Sequence, residues 1–492
     1  MALWLPASQA KSSDNDLIKW KDWSANTFEQ AASENRFIIL DLEAVWCHWC
    51  HVMDAKTYID PGVVALINKH FVAVKVDHDA RPDLAGRYRD YGWPATIFFT
   101  ADGTEIVKRQ GYISPEKMKK LLRAIIDQPS PEESNRSIDQ NTSNSKEFLS
   151  KTLRKELEDR HEKYHDEKLG GLLIKQKFLD RDTVEYSMKL AAQGDKKQEK
   201  RARQTLDAAL ALLDPAWGGF YQYSTHGDWK HPHYEKIMQV QAGYLRIYAL
   251  AYEQFKEPKY LMAAEETVRY LDDFMSSPEG VYYVSQDADL IQGQHSHGYF
   301  SLNSKQRLEK GMPRIDKHIY ARENGWVIEA LATLYEVTHD QQYLDRALKA
   351  VHWIASNRQL PGGGFRHDQK DSAGPYLGDS LAMGGAFLQL FRVTKDRNWL
   401  DKAQKTAHFI SSNFKGNNAG MVSAVANKTP VKPFPQIDEN ISVGRFFNFL
   451  YQQTNNQDHN QVTNYVMRYL ASEQVATVRL TEAGILMLED ER

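Results

Sequence analysis

Five consecutive residues concentrate the chemistry of this chain: Cys47-His48-Trp49-Cys50-His51. Two thiols at this spacing form a dithiol that closes to a disulfide and carries two electrons. The same letters, C-x-x-C-H, are the covalent haem attachment pattern of c-type cytochromes, and Cys with His is also a zinc-ligand combination. Cys47 and Cys50 are the only cysteines in 492 residues, so no disulfide framework holds the fold. A structural zinc would have to recruit His51 and a distant histidine to reach four ligands. A second reactive set lies far downstream: His233 and Glu235 in Pro232-His233-Tyr234-Glu235-Lys236, and Asp287 and Asp289 in Gln286-Asp287-Ala288-Asp289. Paired carboxylates serve glycoside hydrolysis, and His with Glu can shuttle a proton in epimerisation. The same residues could equally cap helices or bind loop amides. His295 and His297, in a glycine-rich loop, read as solvated rather than as metal ligands.

The elements that must position the cysteines narrow the choice. Residues 37–46 (FIILDLEAVW) are a continuous apolar run of buried-strand type, and a helix-compatible segment opens directly after them. Residues 70–79 alternate as a second strand, and residues 95–112 read as strand, Asp102-Gly103 turn, strand. Ser114-Pro115-Glu116 then opens an amphipathic helix, with serine as N-cap and proline in the first turn. This order resembles the thioredoxin fold. The resemblance implies that Asp41, six residues before Cys47, is the internal carboxylate that moves the proton of Cys50. It also implies that Pro94 of Gly92-Trp93-Pro94 is cis and faces the dithiol, and that Trp46, Trp93 and His48 line the groove for an extended protein thiol or disulfide substrate. Cys47 would sit at a helix N-terminus, where free amides and the helix dipole stabilise a thiolate, with Cys50 as the resolving thiol. A haem would need an axial partner and a large apolar pocket. The dithiol is favoured over haem and zinc, while a thioredoxin-like fold without activity stays open.

Residues 127–147 are polar and rich in Ser and Pro. The expected organisation is a thioredoxin-like domain over 15–128, a linker over 129–149 and a helical domain over 150–492. In the last, [Asp/Glu]-x-x-[Tyr/Trp]-Leu-x-x-Ala recurs at 257–264, 340–347 and 396–403, with a fainter fourth copy at 441–471. Each copy joins an apolar helix to an amphipathic one, and its acidic residue is expected to cap the second helix. Long inserts rich in Gly, aromatics, His and Asp fall at the other end of the hairpins. The pattern predicts a multidomain chain, an α/β thioredoxin-like fold followed by an all-α (α/α)6 toroid whose central cleft the inserts rim.

The segments CHWCHVMD, VKVDHDARPDL, GWPATIFFTADG, GGFYQYSTHGDWKHPHYEKIM and SQDADL together resemble the family of thioredoxin-domain proteins that includes spermatogenesis-associated protein 20 and its bacterial relatives. The resemblance covers most of the chain. It implies a toroid similar to six-hairpin glycosidases and N-acylglucosamine 2-epimerases behind the thioredoxin-like domain. The chain departs from the family at Gln239-Val240-Gln241, at Gln286 (a glutamate in the family) and at Glu323-Asn324-Gly325, so a glycosidase-type acid pair is in doubt. With 62 basic against 65 acidic residues nothing draws the chain to nucleic acid or anionic membrane, and no apolar run nears the ~18 residues of a span. Residues 1–10 end in Ser8-Gln9-Ala10, small residues as at a secretory cleavage site but without a basic start, which tilts the expectation toward export. The function expected is a thiol–disulfide oxidoreductase type, with His233, Glu235, Asp287 and Asp289 in a toroid cleft that takes a partner or a carbohydrate-like ligand, and with no cofactor or metal. The alternatives are a carbohydrate-active hydrolase or epimerase with an accessory thioredoxin domain, and a non-catalytic scaffold.

Overall fold

The apolar run around Leu40 becomes the centre of a mixed sheet in the structure, a computed structural model describing residues 17–132, 146–296, 298–371, 373–426 and 428–492. Residues 1–10, most of the expected linker (133–145) and His297 lie outside the described residues. The first domain comprises α1 (Ala25–Ser33), β1 (Phe37–Glu43), α2 (His48–Lys56), α3 (Pro61–His70), β2 (Phe71–Asp77), α4 (Pro82–Arg87), β3 (Ala95–Phe99), β4 (Glu105–Gln110) and α5 (Pro115–Asp127). The strands lie in the order β2-β1-β3-β4, with β1 parallel to β2 and antiparallel to β3. Helices cover both faces, so Ile38, Ile39, Leu40 and Leu42 are all buried, which is why β1 reads as an unbroken apolar run. Helix α3 is additional to the elements read from the sequence. Asp60 caps it by accepting from the amides of Gly62 and Val63, and Pro61 stands in its first turn. Ser114 occupies the N-cap position of α5, but its side chain makes no capping bond.

The second part begins with α6 (Lys151–Lys163), α7 (Arg181–Ala192) and α8 (Lys196–Ala209), followed by the short strands β5 (Tyr223–Ser224), β6 (Pro232–His233) and β7 (Lys236–Ile237). After α9 (Met238–Phe255) and α10 (Pro258–Tyr270) come β8 (Ser285–Gln286), α11 (Ser304–Lys310) and β9 (Ile315–Asp316). The remainder is helical: α12 (Ala321–Thr338), α13 (Gln341–Arg358), α14 (Leu377–Thr394), α15 (Arg397–Asn413), α16 (Ile437–Thr454), α17 (Gln457–Leu470), α18 (Glu473–Ala476) and α19 (Ala483–Glu491). Among the described residues, α7, α9, α12, α14, α16 and α19 pack side by side in that order, and α19 returns to α7. This inner ring is backed by α8, α10, α13, α15, α17 and α6 respectively, giving an (α/α)6 toroid. The sixth hairpin is made from the two ends of the domain, α6 and α19, joined through the buried Leu153, Leu157 and Leu486.

The sequence repeat corresponds to the turn from an inner to an outer helix. Lys256, His339, Lys395 and Asn455 end their inner helices with left-handed backbone (φ 55° to 60°), and the outer helix starts two residues later. Asp340 and Asp396 cap the outer helices as expected, each accepting an amide at 3.0 Å. Glu257 makes no capping bond. Tyr260, Tyr343 and Trp399 of the motif are buried inside their hairpins. A second device was not visible in the sequence. An amide side chain on an inner helix grips both backbone polar groups of one loop residue: Gln241 holds Phe220, Asn324 holds Tyr282 and Asn440 holds Met421. The family departure at Gln241 thus serves architecture.

The first domain sits across one end of the ring. His367 Nε2 is 2.7 Å from the Asp79 carbonyl, Arg87 donates to the carbonyl of Lys432 at 3.0 Å, Arg89 pairs with Asp438, and His48 meets Asp289.

Candidate functional site

The sequence Cys47-His48-Trp49-Cys50 folds as the start of α2, with Cys47 at its N-cap. Cys47 and Cys50 are joined by a disulfide, and the Cys50 amide donates to Cys47 Sγ at 3.1 Å. An amide aimed at Sγ at a helix N-terminus favours negative charge there once the bond is reduced. The Trp93–Pro94 peptide bond is cis. Asp41, on β1 opposite Lys75 and Thr96, is 2% exposed. Burial pushes its carboxyl up to about 7 against the pull of Lys75 Nζ, 3.6 Å away, with Glu43 and Asp54 adding to the rise.

The groove expected around the dithiol is not open. Cys47 and Cys50 are 4% and 2% exposed, and Ile237 of the helical domain packs with them against Trp46 and Trp93. Trp46 is buried and donates through Nε1 to Asp79 at 2.8 Å. Burial works to raise the Asp79 carboxyl, but His78 and this Trp46 bond hold it below its ordinary value. His48 is also buried. It turns Nδ1 to the Asp289 carboxylate at 2.8 Å and stacks on His295 at a ring separation of 3.7 Å. His51 turns Nδ1 to the same carboxylate at 3.4 Å, while its Nε2 donates to the Val45 carbonyl at 3.0 Å. Against the opposing effect of burial, His48 and His51 hold Asp289 down at about 2. Asp287, with burial as the main cause, is pushed up to about 6, and Glu235 likewise to about 8.

The four residues expected in the toroid cleft therefore lie elsewhere. Strands β7, β8 and β9 form a small sheet that presents Asp287 and Asp289 to α2 of the first domain. His233 and Glu235 line a side cavity of about 330 Å³ together with His48, Asp289 and His295. Sequence spacing could not bring them there, since 241 residues separate His48 from Asp289. Lys236, next to Glu235, has a structural partner: it and Arg307 are buried on Asp214, at 2.8 and 2.7 Å.

A larger cavity of about 660 Å³ runs along the ring axis, and its roof is the first domain, which contributes His78, Arg89 and Trp93. Its wall includes Asp182, Glu185, Arg322, Trp326 and Glu439, none of which stands in a motif of the sequence. Most stand in the first turns of inner helices, a position legible only once the ring is assembled. Burial pushes Glu439 up to about 8 despite Arg322, and Asp182 up to about 6. Glu185 behaves oppositely: burial notwithstanding, Arg246 at 2.7 Å and Arg445 at 2.9 Å hold it well below the carboxylate range.

Among the described residues no helix is long and apolar enough to cross a membrane. Residues 8–150 match the family model Thioredox_DsbH, described as a protein of unknown function, DUF255. The chain is 26% identical over 315 residues to spermatogenesis-associated protein 20 of Mus musculus, an alignment covering 55% of this chain and 39% of that protein. It therefore spans less than half the length of that relative. Thioredoxin of Mycoplasmoides gallisepticum is 32% identical over 95 residues, which is 19% of this chain and 90% of that protein. In fold, 65% of the chain superposes on 87% of a cellobiose 2-epimerase from Bacillus thermoamylovorans, with a TM-score of 0.50 and 13% identity. The chain belongs to the thioredoxin family, and the domain that shows it rests on a six-hairpin toroid.

Proposed function

We propose that Cys47–Cys50 is a working dithiol–disulfide couple whose access the toroid controls, and that the axial cavity takes a carbohydrate-like ligand. The observation that carries this reading is the joint placement of Cys47 at the N-cap of α2, cis-Pro94 and buried Asp41 under a cover supplied by the second domain. From the reduced state, the Cys47 thiolate attacks a disulfide co-substrate, forming a mixed disulfide and expelling one thiolate. Cys50 passes its proton to the Asp41 carboxylate, attacks Cys47 Sγ and expels the second sulfur. The co-substrate gains two electrons, Cys47–Cys50 loses two, and the proton on Asp41 goes to a departing thiolate. Because the pair is buried with Ile237 packed on it, a small disulfide reaches it more readily than a folded protein does.

The test uses the reduced full chain with Cys50→Ser and glutathione disulfide. A stable glutathionyl adduct at Cys47, absent from the Cys47→Ser control, is expected. If no adduct forms with glutathione disulfide or with insulin, the couple is not functional. The reduction potential of the wild type then sets direction: a value near −270 mV marks a reductase, and one well above about −200 mV an oxidant or isomerase.

A second reading, a carbohydrate-active toroid with the thioredoxin domain as roof, is favoured by the opposite electrostatics of Glu439 and Glu185. A carboxyl kept protonated and another kept ionised on one cavity wall are the pairing that acid–base chemistry on a sugar requires, and Trp326 offers a stacking face. Cellobiose is the natural first probe, since the epimerase sharing the toroid fold is named for it.

A further inference from the structure

His51 lies in an environment that an uncharged imidazole does not fit. Its Nε2 is 3.0 Å from the Val45 carbonyl, which only accepts, so Nε2 carries a hydrogen. A neutral ring then points the bare Nδ1 lone pair at carboxylate oxygens, Asp289 Oδ2 at 3.4 Å and Asp287 Oδ2 at 3.8 Å. Asp287 has 0% side-chain exposure. Its Oδ1 accepts from the Asp289 amide at 2.9 Å, while Oδ2 has no hydrogen-bond partner among the described residues. An orphaned, buried carboxylate oxygen facing an imidazole nitrogen asks for positive charge between them. His48 adds a further nitrogen, its Nδ1 2.8 Å from Asp289 Oδ2.

We propose that His51 Nδ1, Asp287 Oδ2 and Asp289 Oδ2 bind a divalent transition-metal ion of the Zn2+ class, with His48 as the adjacent donor. Atoms that share a tetrahedral ion at bonds of ~2.0–2.1 Å lie about 3.3 Å apart. The separations of 2.8, 3.4 and 3.8 Å around Asp289 and His51 bracket that figure. Imidazole with carboxylate selects Zn2+ and its neighbours over Mg2+ and Ca2+, which take oxygen ligands. The Nε2–H bond to a backbone carbonyl is the outer contact that metal-bound histidines use to fix their tautomer. The cysteines are not ligands, being joined to each other. The ion would tie α2 of the first domain to the turn after β8 of the second, beside the disulfide and bordering the side cavity.

The experiment is a Zn2+ titration of the chelator-treated full chain by calorimetry, with bound metal counted by mass spectrometry. About one equivalent is expected, with affinity at least ~100-fold weaker in Asp287→Asn and in His51→Gln and unchanged in Cys47→Ser/Cys50→Ser. Loss of binding in the double cysteine variant would place the ion on thiolates and overturn the proposal, as would equal binding by wild type, D287N and H51Q. Should both single variants misfold by circular dichroism, Co2+ in the oxidised wild type decides. Visible ligand-field absorption from one equivalent of Co2+ supports the assignment, and no spectrum refutes it. This result is independent of whether the dithiol reacts with glutathione disulfide.

Discussion

Asp41 and the histidines beside the cysteines do different work. Asp41 is legible in the sequence alone, because a carboxylate inside an apolar strand run is conspicuous and its place before Cys47 matches the thioredoxin pattern. Its burial, with Lys75 opposing and Glu43 and Asp54 assisting, sets its titration near 7. Below that pH Asp41 is protonated and cannot accept the Cys50 proton; above it, it can. The rate of disulfide closure in the reduced protein should therefore fall as pH drops through about 7. In Asp41→Asn that inflection should vanish and the plateau rate should drop about 100-fold. Stopped-flow thiol oxidation from pH 5.5 to 8.5 measures both; an unchanged inflection in the variant would remove Asp41 from the step. His48, by contrast, is expected from the sequence to line the substrate groove, and in the fold it and His51 face Asp289.

At the scale of elements, periodicity and the repeated Leu-x-x-Ala motif marked four of the six hairpins, but not how each turn is held. Asp396 accepts from the Asn398 amide, while Glu257 caps nothing. Asp396→Ala should cost about 1 kcal/mol, and Glu257→Ala no more than a few tenths. Urea denaturation of the two variants tests the contrast; equal losses would show that the repeat's acidic residue acts through charge rather than capping. The grip of Asn440 on both backbone groups of Met421 predicts a larger effect. Asn440→Ala strands a buried amide and a buried carbonyl, and should cost about 2–4 kcal/mol in the same assay. Such clamps escape sequence reading because one partner is a side chain on an inner helix and the other the backbone of a distant loop residue, which carries no side-chain signal.

At the scale of the whole molecule, the thioredoxin-like domain is the lid of the toroid. Buried His367, 1% exposed, holds part of that contact through the Asp79 carbonyl and Asp379, the latter at 2.8 Å. Burial works to lower its titration, but Asp379 and Glu323 outweigh it and Arg322, raising His367 to about 9. A histidine raised on folding stabilises fully below its unfolded value of about 6.5, and the gain is lost as pH rises through the folded one. Thermal unfolding should thus show the wild type losing stability between pH 7 and 10. His367→Leu, about 3–5 kcal/mol less stable at pH 7, should have a much flatter profile. Parallel profiles for the two proteins would mean that His367 does not carry the charge.

The sequence by itself determined the local chemistry and the class of each element. A C-x-x-C after an apolar strand, a Trp-Pro loop and repeating helix-turn motifs are short-range patterns, written within a few residues by backbone and periodicity rules. Only the tertiary structure decided what those elements face. Ring closure through α6 and α19 joins residues more than 300 positions apart. The roofing of the axial cavity by Trp93 and Arg89, and the meeting of His48 and His51 with Asp289, depend on how two domains dock. Docking follows from shape and charge over whole surfaces, which no local pattern encodes. The same cysteine motif that reads as a dithiol lining a substrate groove is, once folded, a covered one, with His48 and His51 turned to Asp289.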